Sequence, residues 1–510
     1  MKTVYKMEEN KDSIQNRWFI PVVMLVLVFA MAARTPLDSD LWWHLRAGEA
    51  TWQSGKPILV DSFSHTRAGM PWINHSWLSQ VGMYLLFRAG GSLAIGAAVA
   101  ALATLSMGLV YMQMGVSPIL RAFLILLATP IAAPVWSPRP QLASLVLFGV
   151  LAYLFYLYKW QQRDYLWVCI PLFVLWSNLH GGYVLGFLLF VALIAGEMLN
   201  HFLGLEGREI VPWKGIARLG VWLGVAWLVV AINPNGTAMW AIPIRTVSIG
   251  ALRDFISEWQ SPDFHQLTQQ PFLWLLLATL GTAGLSRRRL DGSDLLNVGG
   301  FAFLAMLARR NYGPFAMVAV PVLARHLSAL GLEWRVRHRE RLEHLIPPER
   351  WKRLNRPVAR RPGWTLALNA LFIALLAGAA ICKLYWVTTP ELVAKYSERF
   401  YPAKAVQWIE ANQPTGRMFN NYNWGGYLAW ELRAYPVFVD GRTDLYDDQF
   451  LREYQQAAAG EQGWEETLDY YAVNFVLSEA GSGLDRELGR SAEWAKAYDD
   501  EMAVVYIRER

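Results

Sequence analysis

The chain has 510 residues, of which 54% are hydrophobic and only 17% charged. Soluble domains usually carry about 25% charge, so the deficit points to lipid. No basic-aromatic binding module accompanies the formal net charge of +6, which therefore reads as membrane topology and not as a nucleic-acid partner.

An aromatic content of 14%, with 25 Trp, fits the same environment, because Trp and Tyr collect at bilayer interfaces. Two cysteines, Cys169 and Cys382, lie in apolar runs. They make neither a disulfide framework nor a metal-ligand spacing and read as small core thiols.

Spanning a bilayer takes about 20 mostly apolar residues. The first such run covers residues 18–33; Ala32-Ala33-Arg34-Thr35 is a poor cleavage site, so it reads as a retained span. Further stretches start near Ser92, Ile119, Pro140, Tyr165, Tyr183, Ile216, Pro271, Asp294, Tyr312 and Trp364, which predicts about eleven spans in residues 1–388. With the N-terminus in the cytoplasm, the basic loops fall inside: Arg121, Lys159 with Arg163, Arg208 to Arg218, Arg287 to Arg289, and the linker from Arg335 to Arg361. Arg309 and Arg310, at an outer span end, break that pattern.

The same topology puts residues 34–91, the 137–141 and 178–182 turns, residues 233–270 and everything after about Thr388 outside. His44, His75, Arg139 and His180 then share one side of the membrane, which suggests a working face. Residues 389–510 read as a soluble α/β domain. Helical spacing is expected over 402–412, 448–458, 463–471 and 485–498, and strands over 435–439, 474–477 and 503–507. Asn420 to Tyr427 and Val439 to Asp444 look like loops beside strands that would touch an acceptor.

The segment after the first span, Asp38-Ser39-Asp40-Leu41-Trp42-Trp43-His44, carries the most chemistry. Ser39 or Asp38 would cap a helix starting there, and Asp40 and His44, four apart, would share a face. Leu41, Trp42, Leu45 and Trp52 form an apolar stripe suited to the interface plane. An acid and a histidine at a membrane surface suit proton transfer beside a lipid-borne substrate. Further on, Asp61 reads as a turn former, and His75, flanked by Trp72 and Trp77, is suited to a sugar or phosphate contact. The Trp77–Arg88 stretch opens a second amphipathic helix, ended by Gly90-Gly91. Arg139, between two prolines, would aim a guanidinium at phosphate. His180 would meet the donor or end a helix; Arg310 is a candidate because charges at membrane edges are functional by default. Glu258 and Asp263 are weaker candidates. Asn74-His75-Ser76 and Asn235-Gly236-Thr237 match the short glycosylation pattern.

The order of span, acidic pair, Trp-rich interfacial helix, polar loop, second interfacial helix, further spans and C-terminal domain resembles the GT-C membrane glycosyltransferases, which include protein O-mannosyltransferases, aminoarabinose transferases and lipopolysaccharide sugar transferases. The runs Asp-x-Asp-x-Trp-Trp-His and Pro-Trp-x-x-His-x-Trp-Leu are similar to a bacterial subgroup of predicted transferases. The resemblance implies transfer of a sugar from a polyprenyl-phosphate donor to a glycan, lipid or protein acceptor on the outer face. It maps the catalytic acid onto Asp38 or Asp40 and the family's aromatics onto Trp42 and Trp43. By their own chemistry His44 would assist the acid, and Trp43, Trp72, His75, Arg139, His180 and Arg310 would bind substrate. No motif implies a cofactor; a divalent metal on Asp38 and Asp40 is the one metal site that these carboxylates allow. The expected location is a prokaryotic inner (plasma) membrane. The alternative is a non-catalytic scaffold, a polymer ligase or a transporter that uses the C-terminal domain for docking; no inverted repeat of the kind transporters carry is visible.

Overall fold

The computed structural model describes residues 14–345 and 362–509, with side chains described for 18–338 and 363–509. The first lysines and most of the Arg335–Arg361 linker lie outside the described residues.

Each of the eleven apolar stretches folds as a helix: Ile14–Ala32, Trp77–Met112, Pro118–Ala132, Gln141–Trp160, Cys169–Leu179, Val184–Phe202, Trp213–Val229, Gln270–Leu285, Gly292–Leu307, Tyr312–Leu345 and Pro362–Val387. Among the described residues, six of them, counted with their flanking turns, are long and apolar enough to cross a membrane unaided. The expected eleven spans therefore stand as eleven helices, of which six have spanning length. Their shared core is built on large buried side chains such as Trp136, Phe148, Trp176 and Phe190. Cys169 lies in that core, whereas Cys382 is exposed on the outward face of Pro362–Val387, against expectation.

The helix from Trp77 bends at Gly90 and Gly91, where the backbone leaves helical geometry and Gly91 takes φ 54°. A residue with a Cβ strains at that φ, so the glycine pair sets the angle between the short amphipathic segment and the span. The preceding helix, Leu41–Ser54, does not offer its apolar stripe to lipid. Leu41 and Leu45 are buried with Ile95, against Met83, Phe87 and Trp430, while Trp52 turns away and is exposed.

The C-terminal part forms a four-stranded sheet ordered β1-β2-β4-β3, from β1 Arg417–Asn420, β2 Val473–Glu479, β3 Trp494–Asp499 and β4 Ala503–Arg508. β1 and β2 run parallel, and β4 is antiparallel to both of its neighbours. Helices Ala403–Asn412, Asp448–Ala459 and Trp464–Tyr470 fall where expected. Three readings need correction. Residues 435–439 do not join the sheet; they extend along the first loop, where the Val437 N–H donates to Phe63 O at 3.0 Å and the His65 N–H donates to Val437 O at 3.0 Å. The helix expected over 485–498 is Gly483–Leu488 followed by β3, because Gly489 interrupts the pattern. The loop expected over Asn420 to Tyr427 is the end of β1 and a helix, Tyr422–Glu431, started by Asn421 accepting from the Asn423 N–H at 2.8 Å.

The first loop and the C-terminal part are joined by a fully buried ion triad. Arg442 Nη2 meets Asp440 Oδ2 at 2.7 Å and Nη1 meets Asp61 Oδ1 at 2.5 Å, with all three side chains fully buried. The guanidinium lies between the rings of Phe63 and Trp72, 5.1 and 5.0 Å from their centroids. Asp61 also accepts from the Phe63 and Ser64 N–H groups, the turn-forming role expected of it, and adds the ion pair to that role. Breaking such a triad by removing one partner strands buried charge and costs about 3–5 kcal/mol. Arg442→Met should lower the melting temperature and raise hydrogen exchange across residues 61–67. Unchanged exchange there would mean that something else docks the loop.

Candidate active site

The acidic motif is positioned where the chain leaves the first helix. Arg34 donates to Ala133 O at 3.0 Å, and Thr35 Oγ1 donates to Val387 O at 2.8 Å. Asp38 Oδ1 accepts from the Asp40 N–H at 2.9 Å, a local turn that starts Leu41–Ser54. Neither Asp38 nor Ser39 is the cap residue: Asp40 holds that position without capping. Its carboxylate turns aside to accept from Trp43 Nε1 at 3.0 Å. From the C-terminal part, Gly441 presses on it so closely that a Cβ there would stand 2.0 Å from Asp40 Oδ1.

Arg139 gathers the acids. Its Nη1 reaches Asp40 Oδ2 at 3.0 Å, its Nε reaches Asp38 Oδ2 at 3.3 Å, and its Nη2 holds Glu258. The Nε–H also lies 3.0 Å from Ser137 Oγ. Arg310 approaches the far oxygen of Glu258 at 3.8 Å and lies over the Trp259 ring at 4.2 Å. Burial pushes the Asp40 carboxyl up to about 6, although Arg139 and Trp43 pull the other way. Burial would also raise Glu258, but Arg139 and Arg310 outweigh it and hold that carboxyl below its ordinary value. Burial works against the charge on Arg139, yet its three acids raise it above the usual range.

Three histidines line the same space. His44 stacks on Trp43 at 3.5 Å between ring centroids, and its Nδ1 is 3.4 Å from the Gln80 amide nitrogen. His180 Nδ1 accepts from the Gly182 N–H at 3.0 Å and from Ser144 Oγ at 2.8 Å. Two donors at Nδ1 leave the ring proton on Nε2. Burial, then Arg139 and His75 for His44 and His75 and Arg310 for His180, hold both rings neutral, well below the ordinary histidine value. His75 stands 5.9 Å from the His180 ring, with its Nδ1 3.8 Å from Asp444 Oδ2.

These groups face one cavity of about 1030 Å³. Asp38, Asp40, Trp43, His44, His75, Arg139, His180 and Arg310 all line it. Trp72 does not: it is buried under Arg442 and donates to Asp444 Oδ2 at 3.2 Å, a packing role. Asp263 lies apart, satisfied by His265 and Gln266. Asn74 is buried against Gln80, so its glycosylation pattern is not accessible. A divalent ion between Asp38 and Asp40 does not fit, since the Arg139 guanidinium takes that position. Among the described residues, no cluster of three or more His, Cys, Asp or Glu side chains is placed to hold a metal.

No family model and no curated protein matches the sequence. Solved structures do match in shape. The archaeal oligosaccharyltransferase AglB from Archaeoglobus fulgidus, in complex with an inhibitory peptide and a dolichol-phosphate, superposes with a TM-score of 0.58 at 11% identity, over 92% of this chain and 70% of that one. The apo form of the Archaeoglobus fulgidus oligosaccharyltransferase gives 0.52 at 13%, with the same coverage. ArnT from Cupriavidus metallidurans in the apo state gives 0.50 at 13%, over 97% and 98%.

The chain has the GT-C fold. It is a multi-pass membrane protein. On the GT-C frame the cavity lies where the inter-helix turns meet the C-terminal part. Tyr422, Gly441 and Asp444 fall in the two segments expected to touch an acceptor and do line the cavity; Trp259 was missed and Glu258 ranked low, because a distant loop brings them in and neither sits in a motif. Overpacking a filled site costs about 1–3 kcal/mol. Gly441→Ala should destabilise by such an amount, and adding Asp40→Ala should relieve part of the loss. Strictly additive effects on thermal unfolding would mean that Gly441 and Asp40 do not touch.

Proposed function

We propose that this protein is an integral membrane glycosyltransferase that moves a sugar from a polyprenyl-phosphate donor to a hydroxyl acceptor on the outer face of the membrane. The observation that carries the reading is the partly buried Asp40 carboxylate, turned into a cavity that also holds two guanidinium groups. The fold supports it, as does the dolichol-phosphate named with AglB.

Asp40 is the proposed general base. An acceptor hydroxyl gives it a proton while the hydroxyl oxygen bonds the anomeric carbon; the bond from that carbon to phosphate oxygen breaks, and polyprenyl phosphate leaves with the electron pair. Arg139 is already engaged by three carboxylates, so its proposed task is to position Asp38, Asp40 and Glu258. Among the described residues Arg310 has one ion-pair partner, Glu258 at 3.8 Å, which keeps donors free for the leaving phosphate. The Nε2–H of His180 is a second donor toward it, and His75 lies alongside. His44, neutral and stacked on Trp43, shapes the wall behind Asp40. On this reading residues 389–510 are an extracytoplasmic domain that closes the cavity.

General-base catalysis contributes about 10²–10⁴-fold. Turnover of radiolabelled polyprenyl-phosphate sugars by the purified protein should fall by about that factor in Asp40→Asn, while the variant still binds polyprenyl phosphate. Because Asp40 is held up at about 6 and must be ionised to accept a proton, wild-type turnover should climb as pH rises through about 6 and level off above 7. A rate independent of pH from 5 to 7, or full activity in Asp40→Asn, would remove Asp40 as the base.

A further inference from the structure

The cavity has a second arm that the transfer chemistry leaves unused. It runs from Asp40 into the C-terminal part and ends between helix Asp448–Ala459 and the carboxyl ends of β1 and β2. In sheets with parallel strands, ligands bind in the crevice outside the carboxyl ends of those strands. β1 and β2 are the parallel pair here, and both open into this arm: Asn421, Tyr422 and Asn423 follow β1, and Ser478 and Glu479 end β2.

The chemistry along the cavity is divided. Arg139 and Arg310, the Arg side chains that line it among the described residues, lie at the helix-bundle end with the three histidines, and no Lys lines it. The arm carries the carboxylates of Asp444 and Glu479, the amides of Asn423 and Gln455, and the Ser478 and Ser482 hydroxyls. Tyr422 and Tyr454 add aromatic surface, and Tyr422 forms the boundary between the arm and the acid cluster. Asp40 is among the groups that, after burial, push its hydroxyl well above the ordinary tyrosine value. The side chains of Asn423, Gln455 and Glu479 make no hydrogen bond to other described residues, so their polar atoms remain available.

We propose that this arm binds the acceptor, and that the acceptor is an uncharged or amine-bearing carbohydrate, not a phosphorylated or carboxylated one. The inference rests on the transferase reading above. Amides, hydroxyls and carboxylates match the donors and acceptors of a polyol, and tyrosine rings offer faces to sugar rings. Glu479 has no ion-pair partner among the described residues, and Asp444 has only the His75 ring at 3.8 Å, so the arm repels an anion and tolerates an ammonium. The division also separates the substrates by charge: donor phosphate is drawn to the guanidinium end, and the acceptor hydroxyl reaches Asp40 from the other side. That hydroxyl oxygen forms the new bond to the anomeric carbon as its proton passes to Asp40 and the phosphate departs.

The test places the full chain, in lipid nanodiscs, on an array of several oligosaccharide series, each in neutral, amine-bearing, phosphorylated and carboxylated forms. Polyprenyl-phosphate binding is measured alongside. Neutral and amine-bearing glycans should bind and the anionic forms should not. Loss of one amide contact is worth about tenfold in affinity, so Asn423→Ala and Gln455→Ala should each weaken glycan binding by that factor and leave polyprenyl-phosphate binding unchanged. Gln455→Lys should admit phosphorylated glycans that the wild type rejects. Preference for anionic glycans, or neutral binding indifferent to Asn423 and Gln455, would overturn the proposal. So would intact polyprenyl-phosphate binding with no glycan bound, which spares the transferase reading; failure of both ligands would sink that reading and this one with it.

Discussion

Arg139 holds three carboxylates that no nearby segment of sequence would bring together. Asp38 and Asp40 come from the first loop and Glu258 from a loop more than two hundred residues later, yet one guanidinium contacts all of them. Acids this close repel one another in a poorly hydrated site, and only a cation among them keeps them ionised. Pro138 and Pro140 stiffen the turn that delivers that cation. The consequence for chemistry is an imbalance. Three acids share Arg139 and the more distant Arg310, and Asp40, raised to about 6, is ready to take a proton near neutrality while Glu258 is held low.

A second cation does similar work one layer away. Arg442 welds Asp61 of the first loop to Asp440 of the C-terminal part, with Phe63 and Trp72 on its faces. The residue between that pair, Gly441, is the one whose missing side chain makes room for Asp40. The clamp that docks the C-terminal part thus also sets the shape of the acid cluster. Stability and site geometry depend on the same four residues, 440 to 442 and Asp61.

Much of this was legible in the sequence where the physical signal is local. Eleven apolar stretches announced eleven helices because lipid-facing and core-facing positions are both apolar. The acidic pair, His44, His75, Arg139, His180 and Arg310 were drawn to one face by loop charge and reach one cavity. What stayed hidden depends on partners distant in sequence. Trp72 looked like a ligand-stacking ring because a loop tryptophan that packs under a buried arginine reads the same as an exposed one. Residues 435–439 had strand composition, but their pairing partner is the first loop and not the sheet. Asn420 to Tyr427 looked like a loop because its two glycines, which serve close packing in the helix, read as turn residues: Gly426 lies against Ser39 and Trp43, and Gly425 against Val439. Glu258 has no motif at all and acquires meaning only beside Arg139.

In the proposed mechanism Arg139 positions carboxylates and does not bind phosphate. The most direct measurement is to compare Arg139→Lys with wild type for both polyprenyl-phosphate affinity and the rate of sugar transfer at saturating donor. Lysine keeps the charge but cannot span three acids at once. Affinity should stay within about twofold of wild type and the rate should fall by about 10²–10³, the scale of a lost preorganised contact. A large fall in affinity with the saturated rate intact would contradict that role and return Arg139 to the phosphate.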